Sequence, residues 1–381
     1  MSAPIPFNRP FVDQREIEAV ARVLRGDTLR GNGPVARRVE ESLRQWLGVA
    51  HAYLTTSCTH ALEMAMLVLG VKRGDEVIMP SFTFVSTANA VVLRGACPVF
   101  ADIGADTLNI DPVDVERRVT PRTRAVIVVH YAGVACDMEA ITDLARRRGL
   151  VIVEDAAQGI DARHSGRPLG AIGQIGCLSF HDTKNIMCGE GGAFLTNDPA
   201  AARSAELIRE KGTNRAGFLR GEVDRYTWVS EGSSYVPSDI LASVLEVQIA
   251  KRAEIKARRR VVWEAYFRAL EPLAARGQVV RPVVPPYAEP NYHIFFFRVR
   301  TAALRDRVLA ALAAAGIGAT FHFIPLHSSP FGRQVTGRPE SLPVTDECSS
   351  TLVRLPVYPD LSDGADAIAG RVAEIVDALT R

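Results

Sequence analysis

The chain carries 45 basic residues but only five lysines: Lys72, Lys184, Lys211, Lys251 and Lys256. Arginine supplies the rest of the positive charge, so a lysine held at one place raises the question of what its amine does there. Lys184 lies in the stretch SFHDTKN, residues 179–185, just before the flexible GEGG. A guanidinium stays charged and is no amine nucleophile. A lysine in a suitable site loses its proton and condenses with a carbonyl. Small and apolar residues surround Lys184. The other four lysines lie in turn-like or charged stretches and are expected on the solvated surface.

Three further features could serve the same site. In LTTSCTHALEM, residues 54–64, a strand gives way to an apolar helix opened by Ser57, Cys58 and Thr59. Free N–H groups at a helix start suit a phosphate, although capping alone also explains Ser and Thr there. In LVIVEDAAQG, residues 150–159, Asp155 falls where an apolar strand ends. Ligands of open α/β sheets bind beyond such carboxyl ends. An aspartate there reads as a metal ligand, a helix cap or a partner for a ring nitrogen. Phe84 follows the strand EVIMP; it can stack on a flat group or simply fill the core. Ser179 and Thr183 add hydroxyls able to donate to phosphate. Together these residues suit pyridoxal phosphate (PLP). That cofactor needs a lysine for a Schiff base, a carboxylate at its ring nitrogen, a phosphate cup and a wall for its face. Asp155 precedes Lys184 by 29 positions, enough for adjacent strands to bring both to one sheet edge.

The elements that must position these residues alternate. HAYLT, EVIMP, CPVFAD, RAVIVVH and LVIVED read as strands, and THALEMAMLVLG, FVSTANAVVLRG and MEAITDLARRRG as the helices between them. Short continuous apolar runs suit strands covered on both faces. The fold class read from this is α/β, a mostly parallel sheet flanked by helices. Two helices precede it, one with a stripe of Ile17, Val20 and Leu24, the other with Val35, Val39, Leu43 and Trp46. GCLSF and GAFLTND add strands around a glycine turn. Residues 212–236 show no period, and 238–270 read as one long helical region. Beyond a Pro-rich link at 281–290, YHIFFFRV, a helix near 302–315, GATFHFIPLH and a helix near 363–379 indicate a smaller α/β domain. The expected division is a large cofactor-binding domain over 1–249 and a small C-terminal domain over 250–381.

Composition narrows the function classes. The chain has 381 residues, 47% hydrophobic and 23% charged, with a net charge of +2. No basic surplus points to nucleic acid or an anionic membrane. No apolar run reaches membrane-spanning length, and the N-terminus MSAPIPFNRPF lacks the apolar core of a secretion signal. The six cysteines form no CxxC pair and no zinc spacing. They read as free thiols of a cytoplasmic protein, and no metal site is expected.

The stretches GDEVIMPSFTFVSTANAVVLRGA, VHYAGVACDM, VEDAAQG, IGCLSFHDTKN, GEGGA, IREKGTNR, YTW, GSSY and FHFIPLH resemble the DegT/DnrJ/EryC1/StrS family of sugar aminotransferases along nearly the whole chain. The resemblance is nearest to the branch that makes dTDP-4-amino-4,6-dideoxygalactose. It implies the fold of type I PLP-dependent transferases and a homodimer with active sites at the interface. It also implies a shuttle between PLP and pyridoxamine phosphate, with Lys184 as Schiff-base lysine and proton carrier. Asp155 then matches the pyridinium partner, Gln158 a contact near the ring oxygen, and Phe84 the stacking residue. Ser179, Cys58 and Thr59 match phosphate positions. Where the family often has Ser-Gly-Thr this chain has Ser57-Cys58-Thr59, a change that keeps a backbone donor. Ser234 stands where many members place an asparagine that the partner subunit donates to the phosphate. His181 and His322 fall in stretches that imply the sugar pocket, or equally a structural histidine. The implied reaction moves nitrogen from glutamate to C4 of a nucleotide-linked keto sugar, dTDP-4-keto-6-deoxyglucose, with galacto or gluco product. The alternatives are another keto-sugar nucleotide, a sugar dehydratase, or a non-catalytic nucleotide-sugar-binding regulator. Dehydratase relatives carry histidine in place of the lysine, so Lys184 argues against that reading, and the intact Lys184, Asp155 and Ser179 set argues against the last.

Overall fold

The apolar runs form strands β1 (His51–Thr55), β2 (Glu76–Pro80), β3 (Cys97–Ala101), β4 (Thr123–Val129) and β5 (Val151–Ala156). Two-residue strands β6 (Arg163–His164) and β7 (Arg167–Pro168) precede β8 (Ile175–Ser179) and β9 (Gly192–Thr196). The C-terminal part adds β10 (Ala288–Glu289), β11 (Phe295–Arg298) and β12 (Leu352–Leu355). This is a computed structural model that describes residues 4–337 and 340–381. Residues 1–3, where the secretion-signal reading begins, lie outside it.

Seven strands make one sheet in the order β1-β9-β8-β5-β4-β2-β3. β9 runs antiparallel to both neighbours, and the other pairings are parallel. β2, β8 and β9 are buried at every residue, which is why their sequences are continuously apolar rather than alternating. Helices follow the strands, and two of them start on side-chain caps. Ser57 opens Cys58–Val68 and Asp137 opens Met138–Arg148, each accepting a backbone N–H. Gly149 closes the second in the left-handed region.

The strand directions bring particular residues to one edge. Thr55, Pro80, Val129, Asp155 and Ser179 lie at the carboxyl ends, and antiparallel β9 places its first residue, Gly192, at the same edge. Gly192 pairs with both Thr55 and Ser179.

β11 and β12 pair antiparallel and pack with helices Arg252–Ala269, Ala302–Ala314 and Ala365–Thr380. Their core includes Trp263, Tyr266, Phe295, Phe297, Val308, Val353 and Val372.

Several expectations need correction. The stripe Ile17, Val20, Leu24 is not the buried face of helix Gln14–Leu24. Ile17 and Leu24 are more than half exposed, and the helix buries Glu16 and Ala19 instead. Glu16 is drawn inward by Lys251, 2.5 Å away, and by Gln248 Nε2, which donates to it at 2.7 Å. Lys251 is therefore no solvated lysine. It is buried where the region 238–270 divides into helices Asp239–Ala250 and Arg252–Ala269, and it also meets Asp13 at 3.2 Å. GATFHFIPLH forms no strand, only a bridge between Thr320 and Arg354. The aperiodic 212–236 contains one short helix, Arg215–Leu219, and a bridge from Thr213 to Trp228.

Candidate active site

A cavity of about 330 Å³ opens at the carboxyl edge of the sheet, between it and the β11–β12 layer. Cys58, Thr59, Phe84, Asp155, Gln158, Ser179, His181, Thr183, Lys184 and His322 all line it. Ser234 does not; it is exposed and bridges to Glu210.

One end is built to receive an anion. The Ser57 hydroxyl accepts the His60 N–H at 3.1 Å and the Ser57 carbonyl accepts the Ala61 N–H. The N–H groups of Cys58 and Thr59 have no acceptor among the described residues, as the first turn of a helix requires. The Thr59 and Ser86 hydroxyls bond at 2.8 Å, and buried Ser179 stands at the end of β8, beyond β9 in the sheet. Gly192 allows this approach. A Cβ there would lie 2.4 Å from the Ser57 carbonyl carbon and 2.5 Å from the Cys58 nitrogen.

Asp155 occupies the cavity floor. Its Oδ2 accepts from Thr87 Oγ1 at 2.8 Å, and its Oδ1 accepts the Ala157 N–H at 3.2 Å. Thr83 Oγ1 donates in turn to Thr87 Oγ1 at 2.8 Å. Burial raises the carboxyl's pKa, while the Thr87 and Ala157 bonds and the charge of Lys184 pull it back. A cationic ring nitrogen above it would settle the carboxylate in its charged form. The Cys58 thiol, 4.0 Å from Asp155 Oδ1, is pushed well up by burial and stays protonated.

Lys184 sits on the connection from β8 to β9, its N–H donating to the His181 carbonyl at 2.9 Å. Burial lowers its pKa, opposed by Cys58 and Asp155 and reinforced by Arg354. The next residue anchors the loop. Asn185 Nδ2 donates to the Asn291 carbonyl at 2.8 Å, and Asn185 Oδ1 accepts from His293 Nδ1 at 2.9 Å. Arg259 fixes that segment by donating to the carbonyls of Tyr292 and His293.

Beneath Asp155, buried Glu154 accepts N–H bonds from Gly170, Ile172 and Gly173 and one from His130 Nε2. His130 Nδ1 accepts the Cys136 N–H at 3.1 Å, which fixes the Nε2–H tautomer. Burial works against Glu154's charge, but these donors hold its pKa below the usual value. Gln158 Oε1 accepts the Ala132 N–H at 2.7 Å. His322 bonds the Tyr131 hydroxyl at 3.1 Å; burial and the charges of Arg354 and Lys184 keep it neutral. His181 is half-exposed and bonded to Thr183. Phe84 is no core residue: it is 59% exposed while lining the cavity.

Thr87, Asn185, Arg259, His293 and Arg354 went unread in the sequence. Asn185 adjoins Lys184 and Thr87 lies three positions past Phe84, so those two carried a local signal. The other three come from the C-terminal part and carried none.

A sequence model described as the DegT/DnrJ/EryC1/StrS aminotransferase family matches residues 10–377. Among solved structures, the aminotransferase TlmJ from Streptoalloteichus hindustanus is 31% identical over 99% of this chain and 100% of its own, with a TM-score of 0.90. S. venezuelae DesV, solved in complex with a ketimine intermediate, is 32% identical over 100% of both chains, with a TM-score of 0.88. A putative sugar aminotransferase from Streptococcus pneumoniae, in its PMP form, is 25% identical over 99% of this chain and 98% of its own, with a TM-score of 0.91. The same protein is known in a PLP form.

Proposed function

The chain belongs to the DegT/DnrJ/EryC1/StrS aminotransferase family, whose members are PLP-dependent sugar aminotransferases, and on that premise we propose that it moves the amino group of glutamate to C4 of dTDP-4-keto-6-deoxy-D-glucose. The product is a dTDP-4-amino-4,6-dideoxyhexose. The observation that carries the reading is the convergence of Lys184, Asp155 and the start of helix Cys58–Val68 on one cavity.

The residues fit the cofactor. The free N–H groups of Cys58 and Thr59, with Ser179, would hold its phosphate. Asp155 would meet its ring nitrogen, Phe84 would wall its ring, Gln158 would stand near its ring oxygen, and Lys184 would hold its carbonyl carbon. When bound, the cofactor supplies an electron sink that lets a carbon next to nitrogen lose a proton.

The chain's own residues do the rest. Lys184, its pKa lowered by burial, offers a neutral amine that takes the proton from the donor's α-carbon and returns it elsewhere. Asp155, steadied by Thr87, keeps negative charge beneath the ring nitrogen. His181 and His322 also line the cavity and would contact the sugar; His322 stays neutral and would serve as a hydrogen-bonding group. We place the enzyme as a homodimer in which Ser234 serves the partner's phosphate site. Its exposure outside its own cavity, in a stretch that also exposes Tyr226 and Trp228, supports that arrangement.

The test is product analysis. With glutamate and dTDP-4-keto-6-deoxyglucose the protein should yield 2-oxoglutarate and a C4 amine in equal amounts, and NMR coupling at C4 assigns galacto or gluco. Transfer only to other keto-sugar nucleotides would overturn the acceptor and leave the chemistry intact.

A further inference from the structure

Residues 5–11 cross one side of the cavity as a strap tied down at both ends. At one end the Ile5 N–H donates to the Gly316 carbonyl, and the Ile5 carbonyl accepts the Gly318 N–H, each at 2.8 Å. Gly318 permits this approach, since a Cβ there would lie 2.6 Å from the Phe7 nitrogen. At the other end the Phe11 carbonyl accepts from Gln248 Nε2 at 2.8 Å, and the Lys251 ammonium lies over the Phe11 ring, 4.6 Å from its centroid. Between the ties Phe7 and Asn8 line the cavity, while Arg9 and Pro10 are exposed. Asn8 reaches the loop that carries the reacting amine. Its Nδ2 donates to the carbonyl of Asp182, two positions before Lys184, at 3.5 Å. Its Oδ1 has no hydrogen-bond partner among the described residues. One donor of the amide is thus spent on the protein and the acceptor is open. Other polar groups of the lining are engaged with one another: His181 is bonded to Thr183 at 2.9 Å and lies 3.6 Å from Glu190.

Resting on the acceptor reading above, we propose that Asn8 is a specificity-determining residue that accepts a hydrogen bond from the C3 hydroxyl of the sugar. Lys184 must reach C4 for nitrogen to move there, so a side chain joined to its loop faces a carbon next to C4. Of the two neighbours, C5 carries a methyl group and the ring oxygen, neither of which donates. C3 carries a hydroxyl, which does, and Oδ1 accepts it. A site that hydrogen-bonds a substrate hydroxyl discriminates against the analogue that lacks it. The two ties of the strap hold the amide in place before the sugar arrives, which spares part of the ordering cost of binding.

The test is calorimetry on the pyridoxamine-phosphate-loaded enzyme with two sugars that lack the C4 ketone and so bind without turnover: dTDP-6-deoxy-D-glucose and its 3-deoxy counterpart. Wild type should bind the 3-deoxy sugar about 3- to 10-fold more weakly, the worth of one hydrogen bond. Asn8→Ala should weaken binding of the parent sugar by a similar factor and should bind the two sugars alike. A role for Asn8 in folding alone would weaken both sugars together and leave their ratio at the wild-type value, and that result overturns the proposal. Equal binding of the two sugars by wild type also overturns it, whether or not the variant folds. A wild type that shows the preference yet aminates no dTDP-4-keto sugar in the product assay defeats the acceptor assignment alone. One that binds neither sugar overturns both.

Discussion

Thr87 Oγ1 donates a 2.8 Å hydrogen bond to Asp155 Oδ2, and Thr83 Oγ1 donates to Thr87 at the same distance. This relay favours the charged form of a carboxylate that burial alone would neutralise. Thr87→Val should raise the Asp155 pKa further and reduce kcat about tenfold, the worth of one hydrogen bond to a charged group. Asp155→Asn removes the charge itself and should cost on the order of 10³-fold, as for other preorganised electrostatic partners. Steady-state kinetics on both variants, with circular dichroism to check folding, separates the two.

Lys184 gives a pH dependence whose sign is fixed. Burial is the largest influence and lowers its pKa below the ordinary 10.5. Recombination of cofactor-free protein with PLP requires the neutral amine, so its rate should rise with pH through a midpoint below 10.5. Asp155 raises this pKa and Arg354 lowers it. Asp155→Asn should therefore move the midpoint down and Arg354→Gln should move it up. Stopped-flow absorbance against pH reads both directions.

Gly192 is a packing test of the anion end. In Gly192→Ala the new Cβ meets backbone atoms of Ser57 and Cys58 at 2.4 and 2.5 Å, so the turn must move. The expected cost is about 1–3 kcal/mol of stability, with weakened PLP affinity measured by equilibrium dialysis.

Much of the large sheet was legible because both faces of its strands are buried and their apolar runs are unbroken. Lys184, Asp155 and the Ser57–Thr59 turn were legible because each sits at a strand end or next to one. Phe84 was recognised as a candidate, but only the structure shows that it leaves the core for the cavity. Arg354 and His293 were not legible, since they reach the site from β12 and from the segment before β11. Contacts of that kind depend on packing between distant stretches. The Ile17, Val20, Leu24 stripe misled for a related reason. Helical periodicity identifies an apolar face, but the buried Lys251 draws Glu16 inward and turns that face outward.

That same pair yields a stability prediction. Glu16 and Lys251 are both buried and 2.5 Å apart. Lys251→Met leaves Glu16 uncompensated and should destabilise the protein by about 3–5 kcal/mol, whereas replacing both by methionine should be close to neutral. Urea unfolding of the three proteins, where reversible, checks the difference.

The most direct test of the central claim is an absorbance titration of the cofactor-loaded enzyme, first with glutamate and then with dTDP-4-keto-6-deoxyglucose. The account predicts that glutamate removes the visible absorbance in wild type, that the sugar restores it, and that Lys184→Ala does neither. Absorbance unmoved by glutamate in the wild type, or a full cycle in Lys184→Ala, would contradict it.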